Sequence, residues 1–187
     1  MKKRIAVVFG GNSVEHEISI LSMIQVSHAI DRARYDVIHI YITKKGEFWV
    51  GPRFDSLETF RKPGFKHYPV APYKRDGRLR LKGIKPFLPA KYRKPIDVVV
   101  PVAHGNNVED GSLAGFFNVL GVPYAGSPVL PAALLQNKYY TKLLLSEIGL
   151  PVVPYFYFSL KDYKRDVFTV LEKSSELGYP LIVKPVS

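Results

Sequence analysis

Residues 4–19, RIAVVFGGNSVEHEIS, join two elements of regular structure through a pair of glycines. The apolar run 4–9 predicts a buried β-strand, and Gly10-Gly11 predicts a tight turn directly after it. Beyond the turn, apolar residues recur every three or four positions. This spacing predicts a helix over residues 14–30 whose buried face carries Val14, Ile18, Leu21 and Ile24. A strand that runs through glycines into a helix is typical of an α/β fold.

The same order of strand, loop and helix returns further along the chain. Residues 35–42 and 96–102 are apolar runs that predict strands, and residues 112–120 predict a short helix that ends at Gly121. Strands alternating with helices indicate a parallel sheet that is covered on both faces. We therefore expect a doubly wound α/β domain, Rossmann-like in layout, over residues 1–125.

Residues 126–187 read as the beginning of a second domain. Their pattern predicts a helix over 131–148, a strand over 152–158, a helix over 166–177 and a further strand over 180–184. That last strand has no following element with which to pair. We expect Ser187 to mark a truncation of a longer polypeptide.

The net charge of +11 is concentrated in one segment. Residues 61–94 hold twelve Lys and Arg and a single acid, Asp76. This segment therefore carries the whole net charge, and the rest of the chain is neutral. Aromatic residues are interleaved with these bases, a pattern that favours a nucleic-acid-binding module. The alternative is a hairpin between two strands, because residues 75–78 carry a turn signal and residues 78–82 alternate between apolar and basic. The hairpin is favoured, since no nucleic-acid-binding motif is present.

Composition excludes several classes of site. Cysteine is absent, so disulfides, thiolate nucleophiles and Cys-based metal sites are excluded, and no two histidines have the spacing of a helical zinc site.

No apolar run reaches the roughly 20 residues that cross a bilayer, and the N-terminus lacks the apolar core of a signal peptide. We expect a cytoplasmic protein.

Two loops place titratable side chains directly after predicted strands. The first contains Glu15 and His16, and the second contains His104, Glu109 and Asp110. In open α/β sheets, ligands bind at the carboxyl ends of the strands. Each loop alone has a structural explanation, as a tight turn or as a local hydrogen-bonding residue. The two loops together favour a binding site.

Two lysines in the second segment are candidate phosphate ligands. Lys138 lies on the predicted helix 131–148, and Lys184 lies in the apolar run 180–184. A lysine inside an apolar strand needs a compensating anion, because burial of an unpaired charge is costly. The alternative, that each is a surface residue, is strong for Lys138 and weak for Lys184.

Taken together, these segments resemble the D-alanine–D-alanine ligase family of the ATP-grasp superfamily. The resemblance covers nearly the whole chain and rests on motifs that occur in the family's order, namely residues 8–19, 104–105 with 109–111, 122–127, 137–138 with 142, and 182–185. It implies a pre-ATP-grasp, substrate-binding domain over 1–125 and the first part of an ATP-grasp α+β domain over 126–187. It also implies the ATP-dependent joining of two D-alanines through an acyl phosphate, for peptidoglycan synthesis.

The resemblance also implies roles for individual residues. Glu15 and His104 would be catalytic, and the substrate would be bound by Gly10, Gly11, Glu15, His16, Ser19, His104 and Glu109. Lys138 and Lys184 would bind the phosphates of ATP. The cofactors would be ATP and Mg²⁺, with the metal ligands beyond residue 187, and the family suggests a homodimer. On this basis we expect the 187-residue chain to be inactive alone.

The sequence departs from the family pattern at a few positions. The family usually has two glycines where Asn107-Val108 stand, Gln in place of Ala114, Glu in place of Asn118, and Met-Asp in place of Gln136-Asn137. These departures leave the second substrate open between D-alanine, D-lactate, D-serine and another amino acid. A degenerate, non-catalytic relative is a further alternative.

Overall fold

The computed structural model describes residues 2–187, which form an α/β arrangement in two compact units, residues 2–133 and 134–187. In chain order, the elements are β1 (Lys3–Gly10), α1 (His16–Ala29), β2 (Tyr35–Ile42), β3 (Phe48–Val50), α2 (Leu57–Arg61), β4 (Tyr68–Arg75), β5 (Arg78–Gly83), α3 (Ala90–Arg93), β6 (Val98–Pro101), α4 (Ser112–Leu120), α5 (Val129–Gln136), α6 (Lys138–Glu147), α7 (Leu160–Arg165) and α8 (Val167–Ser175).

One six-stranded mixed sheet forms the first unit, with the order β5-β4-β3-β2-β1-β6. β1 pairs in parallel with β2 and β6, whereas β3, β4 and β5 add to β2 in antiparallel fashion. The α/β class is therefore confirmed, with a parallel half and an antiparallel half. The hairpin expected in the basic segment is also confirmed, because β4 and β5 pair up to Arg75 and Arg78. This hairpin extends the sheet and does not loop away from it.

The side chains of β1 alternate between two apolar clusters of the core. Ala6 and Val8 pack in the cluster that contains Phe117 of α4, and Val7 and Phe9 pack in the cluster that contains Met23 of α1. All four β1 side chains are fully buried. Because successive side chains of a strand point to opposite faces, a continuous apolar run is what a strand covered on both faces requires.

The predicted buried face of α1 was wrong for three of its four residues, and only Ile24, which is half-buried, packs against the core. Val14 is 99% exposed, Ile18 and Leu21 are also exposed, and the buried residues are instead His16, Ser19, Ile20, Met23 and Ser27. Apolar residues occur on more than one side of this helix, so the spacing alone allowed two faces. Burial of His16 and Ser19 is possible because both side chains find hydrogen-bond partners inside the protein.

In the second unit, two predictions were confirmed and three were wrong. Helix 166–177 forms as α8 with Asp166 as its N-cap, and Gly149 follows the end of α6 with φ +77°. The single helix 131–148 is divided into α5 and α6 at Asn137. No strand forms at 152–158 or 180–184, since neither segment, as described, has a neighbouring strand to accept and donate its backbone hydrogen bonds.

The half-buried His39 of β2 makes stability dependent on pH. Its Nε2 lies 2.6 Å from the Ser27 Oγ, and burial lowers the pKa of His39 from 6.5 to about 4, with Asp55 opposing the shift and Arg32 adding to it. As pH falls, His39 therefore takes up a proton in the unfolded chain before it does so in the folded chain. The neutral His39 side chain makes its full contribution to the free energy of unfolding above pH 6.5, and this contribution is lost as pH falls toward 4.

We therefore expect His39→Gln to flatten the pH dependence of unfolding. Between about pH 7.5 and about pH 5, the wild-type chain should lose about 2 kcal/mol that the variant does not lose. Urea unfolding at both pH values measures this difference. His28→Gln, which changes an exposed histidine of α1, is the matched control and should keep the wild-type dependence. Equal slopes for wild type and His39→Gln would contradict the assignment.

Candidate active site

A glycine turn closes the carboxyl end of β1. Gly10 and Gly11 have φ values of +92° and +100°, which side-chain-bearing residues rarely adopt. The Gly10 N–H donates to the Ser19 Oγ at 2.7 Å, and the Gly11 N–H donates to the Ile42 carbonyl oxygen at 2.8 Å. Both N–H groups are therefore bonded within the protein, and the glycines determine the shape of the turn.

His16 supports this turn from inside the protein. It is 3% exposed, and its Nδ1–H donates to the Gly11 carbonyl at 2.6 Å while the Tyr41 hydroxyl donates to its Nε2 at 2.8 Å. These partners suit a neutral imidazole with its proton on Nδ1. Burial, together with the charge of Glu17, raises the pKa of Tyr41, which keeps the hydroxyl a donor. The structure thus places His16 and Ser19 beneath the turn.

His104 connects the two loops at the carboxyl ends of β1 and β6. Its Nε2 lies 2.8 Å from the Ser22 Oγ, and its Nδ1 lies 3.3 Å from the Glu109 Oε1. The other Glu109 oxygen accepts the Gly105 N–H at 3.1 Å. The Ser13 hydroxyl donates to the His104 carbonyl at 2.7 Å, so the first loop is bonded directly to the second. The imidazole is therefore held on both sides and is only half-buried.

Glu15 projects from the first loop toward the same place. Its N–H donates to the Ser13 Oγ at 3.1 Å, and a Cβ atom added to Gly105 would lie 3.2 Å from the Glu15 Oε2. The carboxylate therefore lies against Gly105, beside His104 and Glu109. No group within residues 2–187 donates a hydrogen bond to it, and the side chain is exposed. It is available to a ligand.

Negative charge predominates around this carboxylate. Glu17 is neutralised by Lys44, whose Nζ lies 2.7 Å from its Oε1, but within the described chain no Lys or Arg pairs with Glu15 or Glu109. Burial opposes ionisation of Asp110, yet hydrogen bonds from Ser112 and Asn107 lower its pKa, so this carboxyl is also charged. Carboxylates beside an imidazole suit the ammonium group of an amino acid.

The structure brings seven of the nine predicted residues together. They lie in the two loops or directly beneath them: Gly10, Gly11, Glu15, His16, Ser19, His104 and Glu109. The other two, Lys138 and Lys184, belong to the second unit and are both exposed. Their segments are adjacent, because the Lys138 N–H donates to the Val186 carbonyl at 2.8 Å. The expectation that Lys184 is enclosed in an apolar strand was wrong.

Three residues of this network were not predicted. Ser13 and Ser22 bond to His104, and Tyr41 bonds to His16. Ser22 is three residues after Ser19, and residues with this spacing share one side of a helix. The spacing of Ser22 from Ser19 is therefore the feature of the sequence that could have identified Ser22 as part of this network.

Two departures from the family pattern have a local structural explanation. Asn107 has φ +66°, a conformation that asparagine tolerates better than most residues and glycine adopts freely. Asn137 is the N-cap of α6, and its Oδ1 accepts the N–H groups of Tyr139 and Tyr140 at 3.1 and 3.0 Å. Asparagine and aspartate are equally good at this position, so the helix start is maintained.

Within residues 2–187, no three His, Asp or Glu side chains are grouped so as to hold a metal ion. None of the helices described is both long enough and apolar enough to span a membrane.

Comparison with known proteins gives consistent similarities. The family model described as "D-ala D-ala ligase N-terminus" matches residues 4–127. The D-alanine–D-alanine ligase of Ruminiclostridium cellulolyticum is 37% identical over 192 residues, covering 98% of this chain and 51% of that protein. The chain thus spans about half the length of the curated relatives it matches.

Solved structures show the same relationship. The D-alanine-D-alanine ligase from Coxiella burnetii superposes with a TM-score of 0.77 at 30% identity, over 94% of this chain and 49% of that one. The VanG D-Ala:D-Ser ligase from Enterococcus faecalis superposes with a TM-score of 0.75 at 31% identity, over 100% of this chain and 52% of that one.

Proposed function

The chain belongs to the D-alanine–D-alanine ligase family, and we propose that the protein containing it joins two D-alanines with the consumption of ATP, for peptidoglycan synthesis. The observation that carries this proposal is the position of Glu15 beside His104 and Glu109 at the carboxyl edge of the sheet. This cluster has the charge that the ammonium of an amino acid requires.

In the proposed reaction, the carboxylate of the first D-alanine attacks the γ-phosphorus of ATP, and ADP leaves. The amine of the second D-alanine then attacks the acyl phosphate, loses a proton and expels inorganic phosphate as the peptide bond forms. Glu15 holds the ammonium of the first D-alanine, and His104, fixed by Ser22 and Glu109, lies near its reacting carbonyl. Placement of the reactants in this way accounts for a large part of the rate of such reactions.

Lys138 and Lys184 would offset the charge of the ATP phosphates. Support comes from the backbone bond between Lys138 and Val186, which keeps the two lysine segments adjacent, and from the exposure of both side chains. Mg²⁺ is a further implied cofactor, to which we assign none of the described residues. The cytoplasm is the proposed location.

The homodimer implied by the family is supported by one surface feature. Val14, Ile18 and Leu21 are exposed apolar residues at or near the start of α1. Exposed apolar residues in a group are typical of protein–protein contacts. A second copy of this chain is the partner that we propose for them.

The test is release of ADP by the full-length protein. D-alanine alone is compared with D-alanine plus D-serine and D-alanine plus D-lactate. We expect release that requires D-alanine and proceeds without the other two, whereas the isolated 187-residue chain should give none. Stimulation by D-serine would instead assign the D-Ala:D-Ser ligase activity for which the Enterococcus faecalis neighbour is named. No release under any condition would contradict the proposal and favour a non-catalytic relative, and the basic segment 61–94 would be tested next for nucleic-acid binding.

A further inference from the structure

A pocket lies at the amino ends of β1 and β2, whereas the candidate active site lies at the carboxyl end of β1. It has a volume of about 260 Å³ and is lined by Arg4 near the start of β1 and by Asp36 near the start of β2. Gly10 lies six residues after Arg4 in β1, and at about 3.3 Å per residue this places the two sites about 20 Å apart. No residue of the cluster formed by Glu15, His104 and Glu109 lines this pocket.

Arg4 is a buried cation with incomplete hydrogen bonding. It is 8% exposed, and its Nη2 donates to the Lys91 carbonyl at 2.6 Å. Within the described chain, its Nε and Nη1 have no hydrogen-bond partner, although the Nε lies 3.5 Å from an Asp36 oxygen, within ion-pair distance. Burial of a guanidinium with unpaired N–H groups is costly, and a negative charge close to it offsets part of that cost.

A second unpaired group lines the same pocket. Tyr92 is 5% exposed, and its hydroxyl has no hydrogen-bond partner among residues 2–187. Buried tyrosine hydroxyls usually find one. Two buried donors on different elements, Arg4 on β1 and Tyr92 on α3, therefore line one cavity without a shared partner.

The charged side chains that line the pocket are mostly positive. Five basic side chains line it against the two carboxylates Asp36 and Asp55, and the bases are Arg4, Arg32, Arg53, Lys91 and Lys94. His39 also lines it and contributes no charge while neutral. Arginine and lysine side chains donate hydrogen bonds and accept none, so the fitting ligand is an anion with several acceptor oxygens.

We propose that this pocket binds a small anion bearing phosphate groups, of the phosphate or pyrophosphate type. The basic residues come from four separate segments: β1, the connection between α1 and β2, the connection between β3 and α2, and the region of α3. Donors on several sides suit the tetrahedral oxygens of a phosphoryl group better than the planar oxygens of a carboxylate. The volume is several times that of a water molecule, which leaves room for such a group.

The test is the thermal unfolding of the chain in increasing inorganic phosphate or pyrophosphate, against sodium chloride of equal ionic strength. A ligand that binds only the folded state raises Tm with its concentration. We expect phosphate or pyrophosphate to raise Tm more than chloride does. The double variant Arg53→Gln/Lys94→Gln changes two exposed residues and should weaken binding by about tenfold or more.

The matched control is Arg75→Gln/Lys85→Gln, which removes the same charge from exposed residues of the basic segment outside the pocket. It should bind phosphate as the wild type does. A third variant, Arg4→Met, replaces the buried guanidinium by an apolar side chain of similar length. It should lose the phosphate response while its Tm without phosphate is at least that of the wild type. Equal effects of chloride and phosphate, or equal loss of binding in the two double variants, would overturn the proposal.

Discussion

Replacement of Glu15 by Gln lowers kcat/KM for D-alanine-dependent ADP release by about 100-fold or more in the full-length protein. The carboxylate lies against Gly105, beside His104 and Glu109, and no described residue donates a hydrogen bond to it. In the proposed complex it is the group that accepts the ammonium of the first D-alanine. The amide of Gln has a similar size but no charge, so the loss reports the charge interaction and not the shape of the site.

Glu17→Gln is the matched control for this change. Glu17 lies two residues further along, is exposed and is paired with Lys44, so the substitution removes the same charge from the same end of α1. We expect activity within a few-fold of wild type. If Glu15→Gln retained wild-type kinetics, or if both variants lost activity equally, Glu15 would not be the ammonium ligand. Initial rates of ADP release over a range of D-alanine concentrations distinguish these outcomes.

Gly10→Ala is expected to give the largest loss of stability in the chain. A Cβ atom at this position would lie 2.1 Å from the Ile42 carbonyl oxygen and 3.0 Å from the Tyr41 ring, and the φ of +92° is unfavourable for any L-residue. The Ile42 carbonyl cannot simply move away, because it accepts the Gly11 N–H. Overlap with backbone and a strained φ together cost about 3–5 kcal/mol.

Gly77→Ala separates the two contributions to this loss. Gly77 lies in the turn between β4 and β5 with φ +73°, but a Cβ atom there would meet nothing within 4 Å. The control therefore has the backbone strain without the overlap, and we expect it to cost about 1 kcal/mol. Urea unfolding of both variants measures the difference. Similar free energies of unfolding for the two would show that the contact with Ile42 is relieved by a small shift of the backbone.

The strands of the first unit were predictable from the sequence where they form apolar runs, as in β1, which is buried on both faces of the sheet. The segments that form β1 and β2 are mostly apolar and end at clear turn signals, so the pattern of residues along the chain is enough to predict both strands. β3 was missed because it has three residues, too few to show any periodicity. The buried face of α1 was misjudged because it carries His16 and Ser19 beside the apolar Ile20 and Met23, and the spacing of apolar residues does not show that polar side chains are buried through hydrogen bonds.

The candidate site was predictable in part for a topological reason. β1 and β6 are parallel neighbours, so the loops that follow them must meet, and the sequence placed Glu15 in one and His104 in the other. The hydroxyl groups of Ser22 and Tyr41 come from a helix turn and a strand end whose positions only the fold determines. The second unit was least predictable, because a strand is defined by its partner and an apolar run such as 152–158 does not specify one.

The place of β5 at the end of the sheet gives the basic segment a physical consequence. Apart from Leu79, whose N–H and C=O groups bond to Ile96, the outer side of β5 pairs with no strand of the described chain, and such an edge is a template for edge-to-edge aggregation. β5 carries Arg78, Arg80 and Lys82, and two copies of this strand placed side by side would bring six positive charges together. The repulsion disfavours that pairing. Three of the twelve bases in the segment that first resembles a nucleic-acid footprint thus disfavour the addition of strands from other molecules at this edge of the sheet.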